Sequence, residues 1–274
     1  MSVVKSPDLQ KQIEDIDTEL YNLLMKRTEL VKKQGDTNAV ANTLGREATA
    51  IKKLLKNHHE DFPEYVIAKI WREILSASAC LKEKLRFSIF GQEHNNSLIN
   101  IVQEHFGSYV DYETYGSFGQ VINALTAHEV QLAVIPCHNH DMNLKPWWNS
   151  FSAASEEGLQ VIAKLPFVCS KEAKTDDEVY VVSLSVPDQS GADITLLSIE
   201  TACDVSSSSL NEELEKIGFK GVKVLLTANV DDETKSMLVE VNGYVRIGDT
   251  RLEQAAELYK NLKIVGAYAR PVYL

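Results

Sequence analysis

The stretch LQKQIEDIDTELYNLLMKRTEL, from Leu9 to Leu30, decides the fold of the first part of this chain. Its apolar residues recur at alternating steps of four and three, which is the period of a long helix that packs against other helices. At one of these steps Arg27 stands where an apolar residue is expected. An arginine keeps its charge when it is buried, so Arg27 needs an anion beside it, either a protein carboxylate or a ligand. The apolar stripe consists of Leu9, Ile13, Ile16, Leu20, Leu23 and Leu30.

The composition is that of a soluble protein. With 274 residues, 44% hydrophobic and 24% charged, the chain is long enough for two or three cores. The net charge of -11 and the pI near 5.2 argue against nucleic acid and anionic membranes as partners, because both require a basic surface. No segment has the apolar length of a signal peptide or a membrane span, so we expect a cytoplasmic protein. Its four cysteines lack CxxC spacing and are expected to be reduced: Cys80, Cys137, Cys169 and Cys203.

The first 85 residues predict three helices, at Pro7–Gly35, at Leu44–Asn57 and from Pro63 onward. On helix three, Ser78 stands at an inward position where a hydrophobe is expected, and Lys82 lies on the same side. The predicted inner line of this helix is Ile67, Trp71, Ile74, Ser78, Leu81 and Leu85.

Three helices of which the first is very long do not close a bundle alone, because half of the stripe on helix one would stay in water. We therefore expect an intertwined homodimer of helical domains. It would bring together cations, a carboxylate and a hydroxyl: Arg27, Arg46, Glu47, Ser78 and Lys82. Such a set, without a nucleophile or a metal cage, suits a small polyanion that is held by position and charge. A salt-bridged dimer core is the alternative interpretation.

Three features together resemble the all-helical chorismate mutase family. They are the pattern LxxxIxxIDxELxxLLxxR from Leu9 to Arg27, the pair Arg46-Glu47 at the start of helix two, and IWREILSAS from Ile70 to Ser78. The family converts chorismate into prephenate by a pericyclic rearrangement, so the resemblance implies an isomerase of phenylalanine and tyrosine biosynthesis that needs no cofactor. It also implies catalysis by clamping the substrate carboxylates and by placing cations at the ether oxygen.

By this resemblance, Arg27 grips a substrate carboxylate and Arg46 is the arginine that opens helix two. Glu47 matches the glutamate that accepts a hydrogen bond from the ring hydroxyl, and Ser78 matches a serine near the same region. These four positions agree with the family pattern and are assigned to catalysis or substrate binding.

Four other positions depart from the family pattern. Gln10 stands where an arginine of the partner chain is expected, and Asn38 where a lysine faces the ether oxygen. Thr43 replaces an acidic residue before Arg46, and Lys82 replaces an uncharged or acidic ligand of the ether oxygen. We hypothesise that Lys82 is catalytic and supplies the cation that Asn38 lacks, and we assign Gln10, Asn38 and Thr43 to the substrate-binding set.

Residues 86–175 alternate strands with helices and predict a βαβαβ unit. The strands are RFSIF, YVDYET and VQLAVIP, and the helices are Asn96–Phe106 and Phe118–His128. The region resembles one lobe of a prephenate dehydratase, a family often fused behind this kind of mutase. The dehydratase motifs are altered at Phe90-Gly91-Gln92 and Pro136-Cys137-His138-Asn139, and the Thr-Arg-Phe run is absent. Dehydratase activity is therefore not expected.

A crowded group of metal-type ligands follows the third of these strands: Cys137, His138, His140 and Asp141. Ligands so close in sequence, without a distant matching pair, rarely close a tetrahedron. We expect an ordinary polar loop and no metal site.

Residues 176–274 predict an α+β region with strands YVVSLSV, ITLLSI, VKVLLT, MLVEV and KIVGAYA, and with helices Ser209–Ile217 and Thr250–Asn261. The βαββαβ order and the closing Val265-Gly266-Ala267-Tyr268 resemble the amino-acid-sensing ACT module, which implies an aromatic amino acid effector. The glycine-rich effector loop of that module is not recognisable around Pro187 to Gly191.

The sequence thus predicts a multidomain protein with an all-α three-helix domain at 1–85, an α/β region at 86–175 and an α+β region at 176–274. The first hypothesis is a dimeric chorismate mutase that acts on the dicarboxylate chorismate. The alternative is a catalytically weakened binding or regulatory protein of the aromatic amino acid pathway, because Gln10 and Asn38 lack the expected charge. A plain interaction scaffold is the third interpretation.

Overall fold

The computed structural model describes residues 7–33, 43–58, 61–81, 84–91, 96–108, 110–138, 146–154, 158–169 and 178–274. The helices are α1 (Pro7–Lys33), α2 (Leu44–Lys56), α3 (Glu64–Cys80), α4 (Asn96–Phe106), α5 (Phe118–Thr126), α6 (Ser207–Ile217) and α7 (Thr250–Leu258). The strands are β1 (Arg86–Phe90), β2 (Asp111–Tyr115), β3 (Leu132–Pro136), β4 (Gln160–Leu165), β5 (Val168–Cys169), β6 (Val179–Ser183), β7 (Asp193–Ala202), β8 (Lys223–Asn229), β9 (Thr234–Asn242), β10 (Lys260–Ala269) and β11 (Val272–Tyr273). A short 3-10 helix covers Trp147–Ser150.

The three predicted N-terminal helices are confirmed, and the apolar stripe of α1 lies in solvent. Ile13, Leu20 and Leu23 are 54%, 55% and 61% exposed. Exposing six large apolar residues of one helix to water is energetically unfavourable. A surface of this kind is typical of a helix that another molecule covers. The predicted homodimer would provide this cover and stays a prediction.

The buried face of α3 differs from the predicted inner line. The residues that are buried on this helix are Ala68, Arg72 and Ser76, whereas Ile67, Trp71 and Ile74 are only half-buried. The reason is that α3 lies between α2 and α4, so the α/β region covers a face that a free helical domain would leave in solvent. The apolar period alone could not show this second contact.

The strands beyond residue 85 form one mixed nine-stranded sheet, in the order β2-β1-β3-β6-β4-β10-β7-β9-β8. The first three strands are parallel, as expected for the predicted βαβαβ unit. The last four, with α6 and α7, form an antiparallel βαββαβ unit. The predicted helices and strands of both regions are found close to their predicted positions, except that the helix predicted to reach Asn261 ends at Leu258, because Lys260 and Asn261 already belong to β10.

The strand that joins the two units was not predicted. β4 pairs antiparallel with β6 and parallel with β10, so the sheet continues from one predicted region into the next. Its signal is the short apolar run after Gly158, which ends at Pro166. The division of the chain at residues 85 and 175 stays a prediction.

The helices and the aromatic residues cover the two faces of this sheet. One core packs α2, α3 and α4 on strands that include β1 and β6. A second core contains the buried Trp147 and Trp148, and the indole Nε1 of Trp148 donates a hydrogen bond of 2.7 Å to Ser236 Oγ. A third core lies under α6 and α7. The first core positions α2 and α3, which carry the candidate site.

Candidate functional site

Arg27 on α1 contacts Ser78 on α3, as the sequence predicts for two residues of one site. Arg27 is half-buried, and its Nη1 donates a short hydrogen bond to Ser78 Oγ. The serine hydroxyl in turn donates to the carbonyl oxygen of Ile74, at 2.6 Å. This bond to the preceding turn of α3 uses the serine proton and leaves its oxygen to accept from the arginine. Ser78 therefore positions the guanidinium.

Glu47 lies in the first turn of α2 and is held by two donors. The Oγ1 of Thr43 donates to Glu47 Oε1 at 3.1 Å, and the Nη1 of Arg72 donates to Oε2 at 3.3 Å. Burial raises the pKa of Glu47 above its ordinary value, although Arg72, the bond from Thr43, Arg27 and Arg46 all oppose the rise. The carboxylate is thus oriented, nearly dry and attracted by three cations.

Arg72 is a residue of the candidate site that sequence reasoning missed. It is 6% exposed, pairs with Glu47, and its guanidinium stacks over the ring of Phe167 with 4.8 Å between carbon and ring centroid. Burial lowers its pKa to about 10, with Glu47 opposing, so it stays charged at neutral pH. The available signal was its position between the small residues Ala68 and Ser76, four residues away on either side, which leave room for a long side chain.

His105 of α4 lies behind this ion pair. Burial lowers the pKa of the imidazole well below its ordinary value, and the nearby charge of Arg72 adds to the effect. His105 is therefore neutral at physiological pH, and its carbonyl oxygen accepts a hydrogen bond from Ser76 Oγ at 3.1 Å. Its role is to close the core behind Arg72.

Arg46, in the first turn of α2, forms an ion pair with Asp188. Its Nε lies 3.3 Å from the carboxylate oxygen Oδ2 of Asp188, and its backbone N–H donates to the same oxygen at 3.2 Å. Asp188 belongs to the segment 187–192, which we name the bridging loop because it joins β6 and β7 and contacts α2. The contact is close, since a Cβ added to Gly45 would lie 2.3 Å from the carbonyl oxygen of Asp188. The sequence did not predict this pairing.

Gln10, another predicted site residue, lies far from Arg27 within one chain. Gln10 donates to Glu14 at 3.4 Å on the exposed surface of α1. It is 17 positions from Arg27, which corresponds to roughly 25 Å along a helix. Asn38 and Lys82 lie outside the described residues.

For the loop after β3, which the sequence predicts to be an ordinary polar loop, only Cys137 and His138 of its four metal-type residues are described. No group of three or more His, Cys, Asp or Glu that could hold a metal ion is found among the described residues. Cys137 is buried, and burial raises the pKa of its thiol well above the ordinary value. Its neighbour His138 lies 3.6 Å from Glu178, which also pairs with Lys164 at 2.9 Å. His140 and Asp141 are not among the described residues.

The helical segment matches a known family. Residues 9–83 match the family model described as chorismate mutase type II. The bifunctional chorismate mutase/prephenate dehydratase of Aquifex aeolicus (strain VF5) is 28% identical over 144 residues. This match covers 48% of the present chain and 38% of the Aquifex enzyme, so the chain spans well under half of that relative. The predicted resemblance to the chorismate mutase family is confirmed.

Solved structures with distant likeness include two prephenate dehydratases. The enzyme from Streptococcus mutans is 13% identical with a TM-score of 0.47, and covers 69% of this chain and 100% of its own. The enzyme from Arthrobacter aurescens, solved in complex with L-Phe, is 12% identical with a TM-score of 0.48, and covers 68% and 90%. A protein described as a novel type of quorum-quenching acylase is 15% identical with a TM-score of 0.46, and covers 67% and 94%.

Proposed function

We propose that the helical region catalyses the rearrangement of chorismate to prephenate. The observation that carries the proposal is the arrangement of Arg27 against Ser78 and of Glu47 between Thr43 and Arg72, within the segment that matches chorismate mutase type II. A cation and an oriented acceptor are the two groups that a small carboxylate with a hydroxyl requires. The Aquifex aeolicus relative, 28% identical over 144 residues, is a bifunctional chorismate mutase/prephenate dehydratase, which also supports the proposal.

The reaction is unimolecular, so the protein has to hold a conformer and stabilise charge. Arg27 would bind a substrate carboxylate, and Glu47 would accept a hydrogen bond from the ring hydroxyl. Clamping both ends favours the folded substrate, in which the bond-forming carbons approach each other. Lys82 would place its ammonium at the ether oxygen, where negative charge develops as the C–O bond breaks. No covalent intermediate and no cofactor enter this mechanism.

We propose that the active form is a homodimer. The exposed apolar stripe of α1 supports this, because an antiparallel partner helix would bury it. The position of Gln10 supports it as well: roughly 25 Å from its own Arg27, it would serve the site of the second chain.

The rest of the chain is proposed to lack dehydratase activity, because the Thr-Arg-Phe run of that family is absent. The aromatic amino acid effector stays a prediction and rests on the ACT-like order β7-α6-β8-β9-α7-β10.

In the described residues, no helix is long and apolar enough to cross a membrane. The four cysteines are free, which suits the proposed cytoplasmic location.

The decisive test measures the loss of chorismate absorbance with the full chain, followed by assays for prephenate and phenylpyruvate. Prephenate is the expected product. In Arg27→Ala, kcat/KM is expected to fall about a hundredfold or more, because a preorganised cation is lost. Lys26→Ala is the matched control, since Lys26 is an exposed cation on the same helix turn. Equal rates in both variants would contradict the assignment of Arg27.

The second candidate is a regulatory protein that binds chorismate or prephenate without turning it over. The contact of Arg46 with Asp188 favours it, because this ion pair competes with a substrate carboxylate for the guanidinium. Absent turnover, together with chorismate binding by calorimetry that is lost in Arg27→Ala, would support this candidate over the enzyme.

A further inference from the structure

A cavity of about 610 Å³ lies beside the bridging loop, and none of the residues assigned to chorismate is among those that line it, although its wall residue Asp188 pairs with Arg46. Its walls come from β10, from the start of β4, from residues 186–189 and from residues 244–247. The volume falls within the range of roughly 300–1,000 Å³ that small-molecule sites occupy. The cavity is thus large enough for a ligand of about the size of a substituted benzene ring.

Gln160 places an unused hydrogen-bond donor at the wall of this cavity. The residue is 2% exposed and lines the wall, and its amide nitrogen Nε2 has no hydrogen-bond partner among the described residues. A buried amide without a partner is costly, so such groups are rare unless they bind something. An Nε2 group only donates, so the missing partner is an acceptor oxygen.

The charged residues of the wall also favour an acceptor. Arg246 is exposed, lies over the ring of Tyr244 at 5.7 Å, and uses Nη2 to donate to Gln189 Oε1 at 3.0 Å. A guanidinium has five N–H donors, so others remain for a ligand. Asp188 is the other charged residue of the described wall, and its carboxylate is paired with Arg46. The charge left for a ligand is therefore positive.

The opening of the cavity is apolar. Val186 and Ile247 are 56% and 67% exposed, and both line it together with Pro187 and Ile264. Covering exposed aliphatic side chains with an apolar group lowers the free energy, because apolar surface is removed from water. A ligand with an apolar body and one charged end would satisfy both parts of the wall.

The wall is held in place before any ligand binds. The hydroxyl of Tyr244 donates to the carbonyl oxygen of Pro187 at 2.8 Å, which joins the turn after β9 to the bridging loop. The carboxylate of Asp193 accepts from the backbone N–H groups of Ser190, at 3.0 Å, and Gly191, at 3.1 Å. A preformed wall lowers the ordering cost of binding.

We propose that this cavity binds a small carboxylic acid with an apolar body, whose carboxylate is recognised by Arg246 and Gln160. The site is separate from the helical site, and its occupation does not depend on chorismate mutase activity.

The bridging loop carries the effect of this ligand to α2. The loop forms two further hydrogen bonds with α2. Thr49 Oγ1 donates to the carbonyl oxygen of Ser190 at 3.0 Å, and Lys52 Nζ donates to the carbonyl oxygen of Ala192 at 3.3 Å. A ligand that stabilises this loop therefore also slows local opening of the first turns of α2. Amide hydrogen exchange can measure this without any assay of turnover.

The test uses 3-phenylpropionate as the probe and its neutral amide as the matched control ligand, in calorimetric titrations of the full chain. One site per chain is expected, with the amide bound about tenfold more weakly, because a charge-assisted bond is lost. Arg246→Gln and Gln160→Leu are each expected to weaken binding of the acid about tenfold. Arg86→Gln is the control variant, since Arg86 pairs with Glu113 near the far edge of the sheet.

Arg27→Ala separates this site from the helical one. Unchanged affinity in Arg27→Ala, together with slower exchange at residues 44–49 and 187–192 when the probe is bound, is the expected result. No binding at millimolar probe, unchanged binding in both Arg246→Gln and Gln160→Leu, or loss of binding in Arg27→Ala would each overturn the proposal. None of these outcomes depends on whether the chain converts chorismate, so the proposed function can fail independently.

Discussion

Replacing Arg72 by methionine removes the buried cation that faces Glu47. Both partners are nearly dry, with side chains 7% and 14% exposed, so water cannot take over the lost interaction. Removing one partner of a buried pair costs about 3–5 kcal/mol. The remaining bond from Thr43 and the nearby charges of Arg27 and Arg46 still stabilise the carboxylate. We therefore expect a loss near the lower end, about 3 kcal/mol in the free energy of unfolding.

The loss is expected to depend on pH, through Glu47. Its folded-state pKa is raised, so its stabilising contribution is present below the unfolded pKa and is lost as the pH rises through the folded pKa. Arg72 opposes this rise, and without it the folded pKa of Glu47 moves higher still. The deficit of Arg72→Met relative to the natural chain is therefore largest at neutral pH. It shrinks as the pH falls toward the ordinary glutamate value of 4.5.

Urea unfolding followed by circular dichroism between pH 5 and pH 8 measures both effects. The double variant Arg72→Met with Glu47→Gln removes the orphaned charge and is expected to recover to within about 1 kcal/mol of the natural chain. Lys69→Met is the control, because Lys69 lies on α3 like Arg72 but forms an exposed ion pair, with Glu104 of α4. This substitution should cost at most about 1 kcal/mol. A deficit that does not vary with pH, or a double variant as unstable as the single one, would refute the reasoning.

Two further predictions concern the dimer and the ether-oxygen cation. Ile16→Lys is expected to halve the molar mass measured by light scattering, whereas Asp17→Lys, beside it but off the stripe, should leave it unchanged; a monomeric natural chain would contradict this. Lys82→Gln is expected to lower kcat about a hundredfold by removing the cation at the ether oxygen, whereas Lys84→Gln should have little effect because Lys84 is 79% exposed. Near-normal turnover in Lys82→Gln would reject its catalytic role.

Much of the local structure follows from the sequence because its causes are local. The step of four and three in residues 9–30 predicts α1, and α2 and α3 begin within a residue or so of their predicted starts. The strands and helices from Arg86 to Pro136 follow from short apolar runs between turns. The motifs that resemble the mutase family also identify Arg27 and Ser78 from the sequence, and these two side chains are hydrogen-bonded in the structure.

The contacts between residues far apart in the chain could be learned only from the tertiary structure, because no local sequence pattern encodes them. Whether Arg72 is buried depends on α4 and on Phe167, which lie far along the chain from α3. The pairing of Arg46 with Asp188 joins residues 142 positions apart, and the insertion of β4 beside β10 decides that one sheet runs through both predicted regions. Periodicity reports how a segment arranges its own side chains, whereas these contacts depend on which distant surface meets it. The sequence by itself therefore determined the helices and the core of the candidate site, and the tertiary structure determined its buried counter-ion and its link to the sheet.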